Sequence, residues 1–94
     1  MTDVQVRLNA DEKRYEARVD GELAGAAYFD AADDLIVFTH TEVDDAFEGH
    51  GVGSVLARGA LDDVRADGRC KVVARCSFIR GWIDRHPDYR DLLE

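Results

Sequence analysis

The order of elements between Leu35 and Ala74 constrains the fold of this chain more than any other feature of the sequence. Residues 35–43 are rich in β-branched and aromatic side chains, which predicts a strand in the interior of a sheet. After a glycine-rich turn, apolar residues recur every four positions up to Gly68, as in an amphipathic helix. The apolar positions of this helix are Val52, Val55, Leu56, Ala60, Leu61 and Val64. A short apolar strand over residues 71–74 follows, and a strand, helix and strand in one sheet almost always form a right-handed parallel crossover. We therefore expect the two strands to pair in parallel or to splay apart.

The N-terminal third predicts an antiparallel meander. Apolar and polar residues alternate over residues 4–9 and 15–19, which indicates two half-buried strands. Asp20-Gly21 predicts a tight hairpin turn into a third strand over residues 23–29. A turn rich in Asp and Ala is expected over residues 30–34.

The C-terminal quarter predicts helical structure. We expect a helix over residues 77–85, a turn at His86-Pro87 and a last helical turn over residues 88–93. Helical spacing favours a core role over adenine stacking for the large apolar side chains of this tail, which are Phe78, Trp82, Ile83 and Tyr89. The predicted order is ββββαβαα, an α+β fold with a mixed, mostly antiparallel sheet, and residues 1–94 are expected to form one domain.

The charge composition limits which partners this protein can have. The net charge is −8, and 14 Asp and 6 Glu face 10 Arg and only 2 Lys, which argues against a nucleic-acid partner. Dense short carboxylates with little lysine are typical of proteins from cells with molar salt, where the Debye length is only ~3 Å. A surface that attracts a cationic partner is the alternative.

Neither a membrane span nor a secretory signal is apparent. The longest apolar stretches, residues 23–29 and 35–38, are far shorter than the ~20 residues that a membrane span needs, and the N-terminus has no secretory pattern. We therefore expect a cytoplasmic protein, in which Cys70 and Cys76 are thiols. The thiols and histidines lack the spacing of a metal site.

Three glycines at alternate positions stand directly before the predicted main helix, in Glu48-Gly49-His50-Gly51-Val52-Gly53-Ser54. The unpaired N–H groups of a first helical turn and the helix dipole form an anion site, and glycine lets phosphate oxygens approach the backbone. The loop lacks the Lys-Ser/Thr of a nucleoside-triphosphate site, and a dinucleotide fingerprint would need glycine where Ser54 or Leu56 stands. A tight turn without a ligand is the alternative.

This junction resembles the GNAT superfamily of acetyl-CoA-dependent N-acetyltransferases, which carries Gln/Arg-x-x-Gly-x-Gly/Ala at the same place. Gly51 and Gly53 fall on its two glycine positions, and Val43 stands five residues before Glu48. The string His40-Thr41-Glu42-Val43, then Cys76 and the ending Trp82-Ile83-x-x-His86-Pro87-x-Tyr89, are similar to one subgroup of very short, stand-alone GNAT-like domains. Two departures are visible: Glu48 replaces Gln or Arg, and the two helices that usually wall the acceptor site are missing from the predicted order.

The resemblance implies a minimal GNAT-like fold that binds acetyl-CoA and transfers the acetyl group to an amine, whose identity stays open. Pantetheine would pair with the backbone near Val43 and place the thioester between the fourth and fifth strands. The pyrophosphate would lie on the backbone amides of Gly49, His50, Gly51, Val52, Gly53 and Ser54. The runner-up is a non-catalytic CoA-sensing or interaction module on the same fold. Either protein would be a monomer or a weak homodimer.

Three residues are candidates for the catalytic chemistry. His40 and Glu42 are two apart on one strand and project from the same face, where a base for an ammonium acceptor could act. The alternative for His40 is a hydrogen-bonded core residue. Cys76 stands at a strand end before a helix N-terminus, so it could protonate the leaving thiolate or become acetylated, with buried packing as its alternative. The nearest cations for the 3′-phosphate are Arg75, Arg80 and Arg85, for which surface ion pairing is the alternative.

Overall fold

The computed structural model describes residues 3–47, 49 and 51–94. The elements in chain order are β1 (Val4–Asn9), β2 (Arg14–Val19), β3 (Glu22–Ala32), β4 (Leu35–Val43), a 3-10 helix (Asp45–Phe47), α1 (Val52–Asp67), β5 (Lys71–Ala74), α2 (Ser77–Arg85) and a second 3-10 helix (Pro87–Leu92). The strands form one sheet in the order β1-β2-β3-β4-β5. All neighbours are antiparallel except β4 and β5, which are parallel. The predicted α+β class and the parallel crossover are confirmed.

Both tight turns of the meander use residues with positive φ. Asp20 and Gly21 have φ of 52° and 84°, as the hairpin prediction requires. The next turn differs from its prediction, because β3 does not end at Phe29 but stays paired with β4 as far as Ala32 opposite Leu35. The turn between β3 and β4 is therefore short. Asp33 in this turn has φ of 51°, a conformation that aspartate tolerates better than most residues.

The core lies between one face of the sheet and both helices. Strands β2 to β4 contribute alternate residues such as Tyr15, Phe29 and Phe38, and the helices contribute Leu56 and Trp82. Two predicted core positions are wrong: Val55 is 39% exposed and Phe78 is 38% exposed. Both stand in the first turn of their helices, and Phe78 lines the groove beside the glycine turn.

The opposite face of the sheet is polar, and none of the described helices covers it. Glu16 lies there, only 6% exposed, because Arg14 and Arg18 on the same strand fold over it and donate hydrogen bonds to its carboxylate. The Asn9 amide donates a further bond at 3.0 Å. These donors, with Asn9 the largest contributor, lower the pKa of Glu16 to about 2.

The C-terminal residues close the outer edge of β5. The predicted last helical turn is a 3-10 helix, and after it Leu93 forms a parallel bridge with Val72. The Glu94 amide donates to the Val72 carbonyl at 3.1 Å. None of the described helices has the length and apolar character needed to cross a membrane.

Candidate functional site

Strands β4 and β5 separate halfway along β4. Their pairing stops at Phe38 opposite Ala74, and the amides of Arg75 and Cys76 then both donate to the Phe38 carbonyl, at 3.0 and 2.9 Å. At the same point Thr39 is an extra residue in the β3/β4 ladder, a bulge that bends β4. The rest of β4, up to Val43, therefore faces a wedge-shaped opening instead of β5.

The glycine turn leaves the N-terminus of α1 without a side-chain cap. Gly51 is the N-cap residue with φ of 74°, and as a glycine it offers no side-chain cap to the first turn. The first amide that bonds back to the Gly51 carbonyl is that of Val55, at 3.1 Å. Among the described residues, no backbone group accepts a hydrogen bond from the amides of residues 52–54. These amides can therefore bind an anion, and the helix dipole favours negative charge at this end.

A groove of about 300 Å³ lies over this helix end. Its described lining comprises Val43, Phe47, Gly49, Gly51, Val52, Gly53, Ser54, Phe78, Trp82 and Arg85. The groove thus brings together six of the seven residues that the sequence analysis assigned to acetyl-CoA, and the seventh, His50, lies outside the described residues. We call it the cofactor groove.

Trp82 connects α2 to the glycine turn. Its indole Nε1 donates to Ser54 Oγ at 3.0 Å, and its ring stacks on His86 with 3.8 Å between ring centroids. His86 Nδ1 lies 2.7 Å from the Trp82 carbonyl oxygen. Trp82 is buried, as predicted, but its polar contact to the cofactor groove was not foreseen, because the two residues are 28 positions apart.

His40 and Glu42 form a pair on the uncovered face of the sheet. His40 Nε2 lies 3.1 Å from Glu42 Oε1, and both side chains are more than half exposed, at 61% and 63%. The Tyr28 ring stacks on the His40 ring with 6.1 Å between centroids. His40 is therefore not a core residue, and both side chains of the pair are open to solvent.

Cys76 lies on the covered side of β4. It is the N-cap residue of α2, is 6% exposed, and its Sγ is 3.2 Å from Thr41 Oγ1. Thr41 was not among the predicted site residues. The alternation of β4 places it between His40 and Glu42, so it points to the other side of the strand and reaches Cys76 at the mouth of the opening.

A second groove, of about 520 Å³, lies on the uncovered face. We call it the acceptor groove, because it includes Glu42, where the sequence analysis expects a base for an ammonium acceptor. Small residues form its floor and carboxylates line its rim, and the lining comprises Leu23, Ala24, Gly25, Ala26, Tyr28, Glu42, Val43, Asp44 and Asp45. Val43 lines both grooves, so they meet at the end of β4.

Comparison with known proteins agrees with this geometry. The family model for GCN5-related N-acetyl-transferases matches residues 14–92, so the chain belongs to this N-acetyltransferase family and the resemblance noted in the sequence is confirmed. Among curated proteins it is similar to protein NATD1 of Gallus gallus, with 28% identity over 86 residues that cover 89% of this chain and 77% of the relative. Protein NATD1 of Xenopus tropicalis is 30% identical over 86 residues, covering 87% of this chain and 78% of the relative.

A solved structure shares the fold. The NMR structure of a GCN5-like protein from Staphylococcus aureus matches with a TM-score of 0.71 and 22% sequence identity. The match covers 100% of this chain and 91% of the other. The five-stranded mixed sheet and its helices therefore share the overall fold of a known GCN5-like protein.

Proposed function

We propose that this protein binds acetyl-CoA and transfers its acetyl group to an amine. The observation that carries the proposal is the meeting of the two grooves at Val43: one holds the N-terminus of α1, and the other is lined by Glu42, whose carboxylate lies 3.1 Å from His40 Nε2. Membership of the N-acetyltransferase family supports the same activity. We expect the enzyme to act in the cytoplasm as a monomer or weak homodimer.

The cofactor groove fits a pyrophosphate. Its proposed anion-binding groups are the amides of residues 52–54, to which the N-cap Gly51 offers no side chain, and the positive φ of Gly51 lets the chain turn directly into α1 beside the groove. Because Glu48 replaces the Gln or Arg of the superfamily pattern, the backbone is expected to provide most of the binding at this turn. His50 is proposed as a further contact.

The opening between β4 and β5 fits the pantetheine arm. Beyond Phe38 the edge of β4 is not paired with β5, so its backbone groups can pair with the amides of an extended arm. Val43 marks the end of this edge. An arm laid along it carries the thioester to the wedge between β4 and Cys76.

The acetyl thioester supplies an activated acyl group, and the chain's own residues are proposed to manage the two protons of the transfer. Glu42, paired with His40, takes one proton from the attacking ammonium group on the uncovered face and passes it to solvent, and the second nitrogen proton is lost to solvent as the amide forms. Cys76 gives a proton from its thiol to the departing thiolate on the covered side, and is re-protonated from solvent. The wedge between the strands joins the two faces, so both groups can reach one reacting centre.

The acceptor groove favours a positively charged amine. Its three carboxylates are Glu42, Asp44 and Asp45, and none of its described lining residues carries positive charge. The floor of Ala24, Gly25 and Ala26 leaves room for a short alkyl chain. We therefore propose a small cationic amine as the acceptor.

Turnover tests the proposal. Purified protein in concentrated KCl is mixed with acetyl-CoA and a panel of small amines, diamines, amino acids and lysine peptides, and release of the free CoA thiol is followed. We expect amine-dependent release that Glu42→Gln reduces. Binding of acetyl-CoA without turnover on any acceptor, and without acetylation of Cys76, would instead support the CoA-sensing module, which the missing helical wall over the acceptor face favours.

A further inference from the structure

One face of α2 forms the wall of the cofactor groove opposite the glycine turn. Phe78, Trp82 and Arg85 are spaced at i, i+4 and i+7, and all three line the groove. Trp82 is buried and donates a hydrogen bond to Ser54, whereas Phe78 and Arg85 on either side of it are exposed. The helix therefore presents one apolar and one cationic side chain to whatever occupies the groove.

The packing of Phe78 fixes this wall against the turn. A Cβ placed on Gly53 would lie 2.8 Å from Phe78 Cζ, which is closer than real Cβ contacts come. Glycine at position 53 thus lets the ring lie directly on the backbone of the first turn of α1. With the Trp82–Ser54 hydrogen bond, this contact holds α2 at a set distance from the N-terminus of α1.

Arg85 is the one positively charged residue in the described lining of the groove. Its guanidinium extends back along α2 to Gly81. A Cβ placed on Gly81 would lie 3.5 Å from Arg85 Nη1. Other arginines are engaged elsewhere: Arg80 donates to the Ala74 carbonyl at 3.2 and 3.0 Å, and Arg65 pairs with Asp91 at 2.8 Å. Within residues 3–47, 49 and 51–94, the Arg85 side chain forms neither a hydrogen bond nor an ion pair.

An anionic ligand needs this charge. Coenzyme A carries a pyrophosphate and a 3′-phosphate, and the protein carries a net charge of −8 with an acid, Glu48, in the loop itself. The backbone amides supply partial charges, whereas a guanidinium supplies a full charge and a planar fork that matches two phosphate oxygens. Arg85 on α2 can provide the full positive charge that the side chains of the loop do not provide.

We propose that Arg85 binds a phosphate group of coenzyme A and makes the site selective for CoA thioesters over acyl carriers that lack phosphates. The inference rests on the proposed acetyl-CoA site. In this proposal, the side chain that provides the charge-dependent part of the affinity for coenzyme A lies on α2. The superfamily pattern instead places a polar or basic side chain at the start of the glycine loop.

Three ligands and three variants test the assignment by calorimetry in KCl. The ligands are acetyl-CoA, its dephospho form without the 3′-phosphate, and S-acetylpantetheine without any phosphate on the arm. The variants are Arg85→Gln, Arg85→Lys and, as a matched control, Arg90→Gln, which removes the same charge from an exposed position outside the groove. Amide spectra of each variant check that the fold is kept.

We expect Arg85→Gln to weaken acetyl-CoA by about tenfold, which is the usual effect of losing one charge-assisted hydrogen bond, and to leave S-acetylpantetheine within twofold. Arg85→Lys keeps the charge but not the fork, so it should be intermediate, and Arg90→Gln should bind as the parent does. An equal loss for the dephospho ligand assigns Arg85 to the pyrophosphate. A loss confined to acetyl-CoA assigns it to the 3′-phosphate.

Two results would overturn the inference while the proposed function stands: Arg85→Gln binding acetyl-CoA within twofold of the parent, or an equal loss for S-acetylpantetheine. A parent protein that binds no acetyl-CoA at millimolar concentration would instead remove the proposed function and the inference together.

Discussion

Thr41 Oγ1 and Cys76 Sγ lie 3.2 Å apart although 35 residues separate them in the chain. The contact joins β4 to the corner between β5 and α2, just beyond the point where the two strands separate. It therefore lies at the mouth of the wedge, on the covered side of β4, where a departing thiolate would need a proton.

Replacing Cys76 separates a catalytic role from a packing role. If its thiol protonates the leaving group, Cys76→Ala lowers kcat by about 100-fold, a typical contribution of a general acid, and leaves the affinity for acetyl-CoA within twofold. Thr41→Val, which removes only the hydrogen bond, should lower kcat by about fivefold, and Thr41→Ser should restore it. Steady-state kinetics and calorimetry measure both quantities. Full turnover by a folded Cys76→Ala protein would leave packing as the role of the thiol.

The Glu42 carboxylate is expected to accept the amine proton. Glu42→Gln keeps the shape of the side chain but removes its basicity, so kcat/KM should fall by about 100-fold. The residual rate should rise with pH, because more of the acceptor amine is then already neutral. Glu22→Gln is the control, since Glu22 is an exposed acid outside the acceptor groove. Equal rates for both variants would show that Glu42 is not the base.

A charge placed at the glycine turn should weaken the cofactor specifically. Gly51 has φ of 74°, so any side chain is strained there, but a Cβ would meet nothing within 4 Å. Gly51→Asp and Gly51→Asn have the same shape and similar strain and differ in charge. We expect the Asp variant to bind acetyl-CoA at least about tenfold more weakly than the Asn variant, as measured by calorimetry. Similar affinities, with similar melting temperatures, would place the phosphates elsewhere.

Glu16 should make stability depend on acid pH. Its pKa is lowered from the ordinary 4.5 to about 2 in the folded protein. A lowered folded-state pKa means that this stabilisation is fully present above pH 4.5 and is lost as the pH falls towards 2. Glu16→Gln should therefore cost about 1–2 kcal/mol at pH 7, the usual effect of weakening hydrogen bonds to a charged group.

The measurement for Glu16 is urea unfolding of both proteins between pH 7 and pH 2. Comparing parent and variant cancels the effect of the other carboxylates. The difference in the free energy of unfolding should shrink below pH 4.5. A difference that stays constant over this range would mean that Glu16 has an ordinary pKa.

The strand, glycine turn and helix between Leu35 and Gly68 could be predicted because each element depends on local periodicity and turn chemistry. The end of β3 and the face on which His40 and Glu42 lie depend instead on pairing between strands. Strand β3 continues past Phe29 because β4 pairs with it, although Asp30, Ala31 and Ala32 alone favour a turn. Sequence alternation showed that His40 and Glu42 share a face, but which face depends on the bulge at Thr39.

Contacts between distant segments were also beyond sequence reasoning. Phe78 was predicted to lie in the core from its helical spacing, but it lies on Gly53 at the cofactor groove. Cys76 contacts Thr41, 35 residues away, and this pair depends on how β5 and α2 follow β4. Trp82 contacts Ser54, 28 residues away, and this pair depends on how α2 packs beside α1. Such pairs become visible only when the crossover brings both helices to one face.

The central claim is that the glycine turn and the end of β4 form an acetyl-CoA site, and an amide chemical-shift titration tests it most directly. Labelled protein is titrated with acetyl-CoA in concentrated KCl, which screens the repulsion among its many carboxylates. We expect saturable shifts centred on Val43 and on the amides from Gly49 to Ser54. Folded protein that shows no shifts there at millimolar acetyl-CoA would contradict the account.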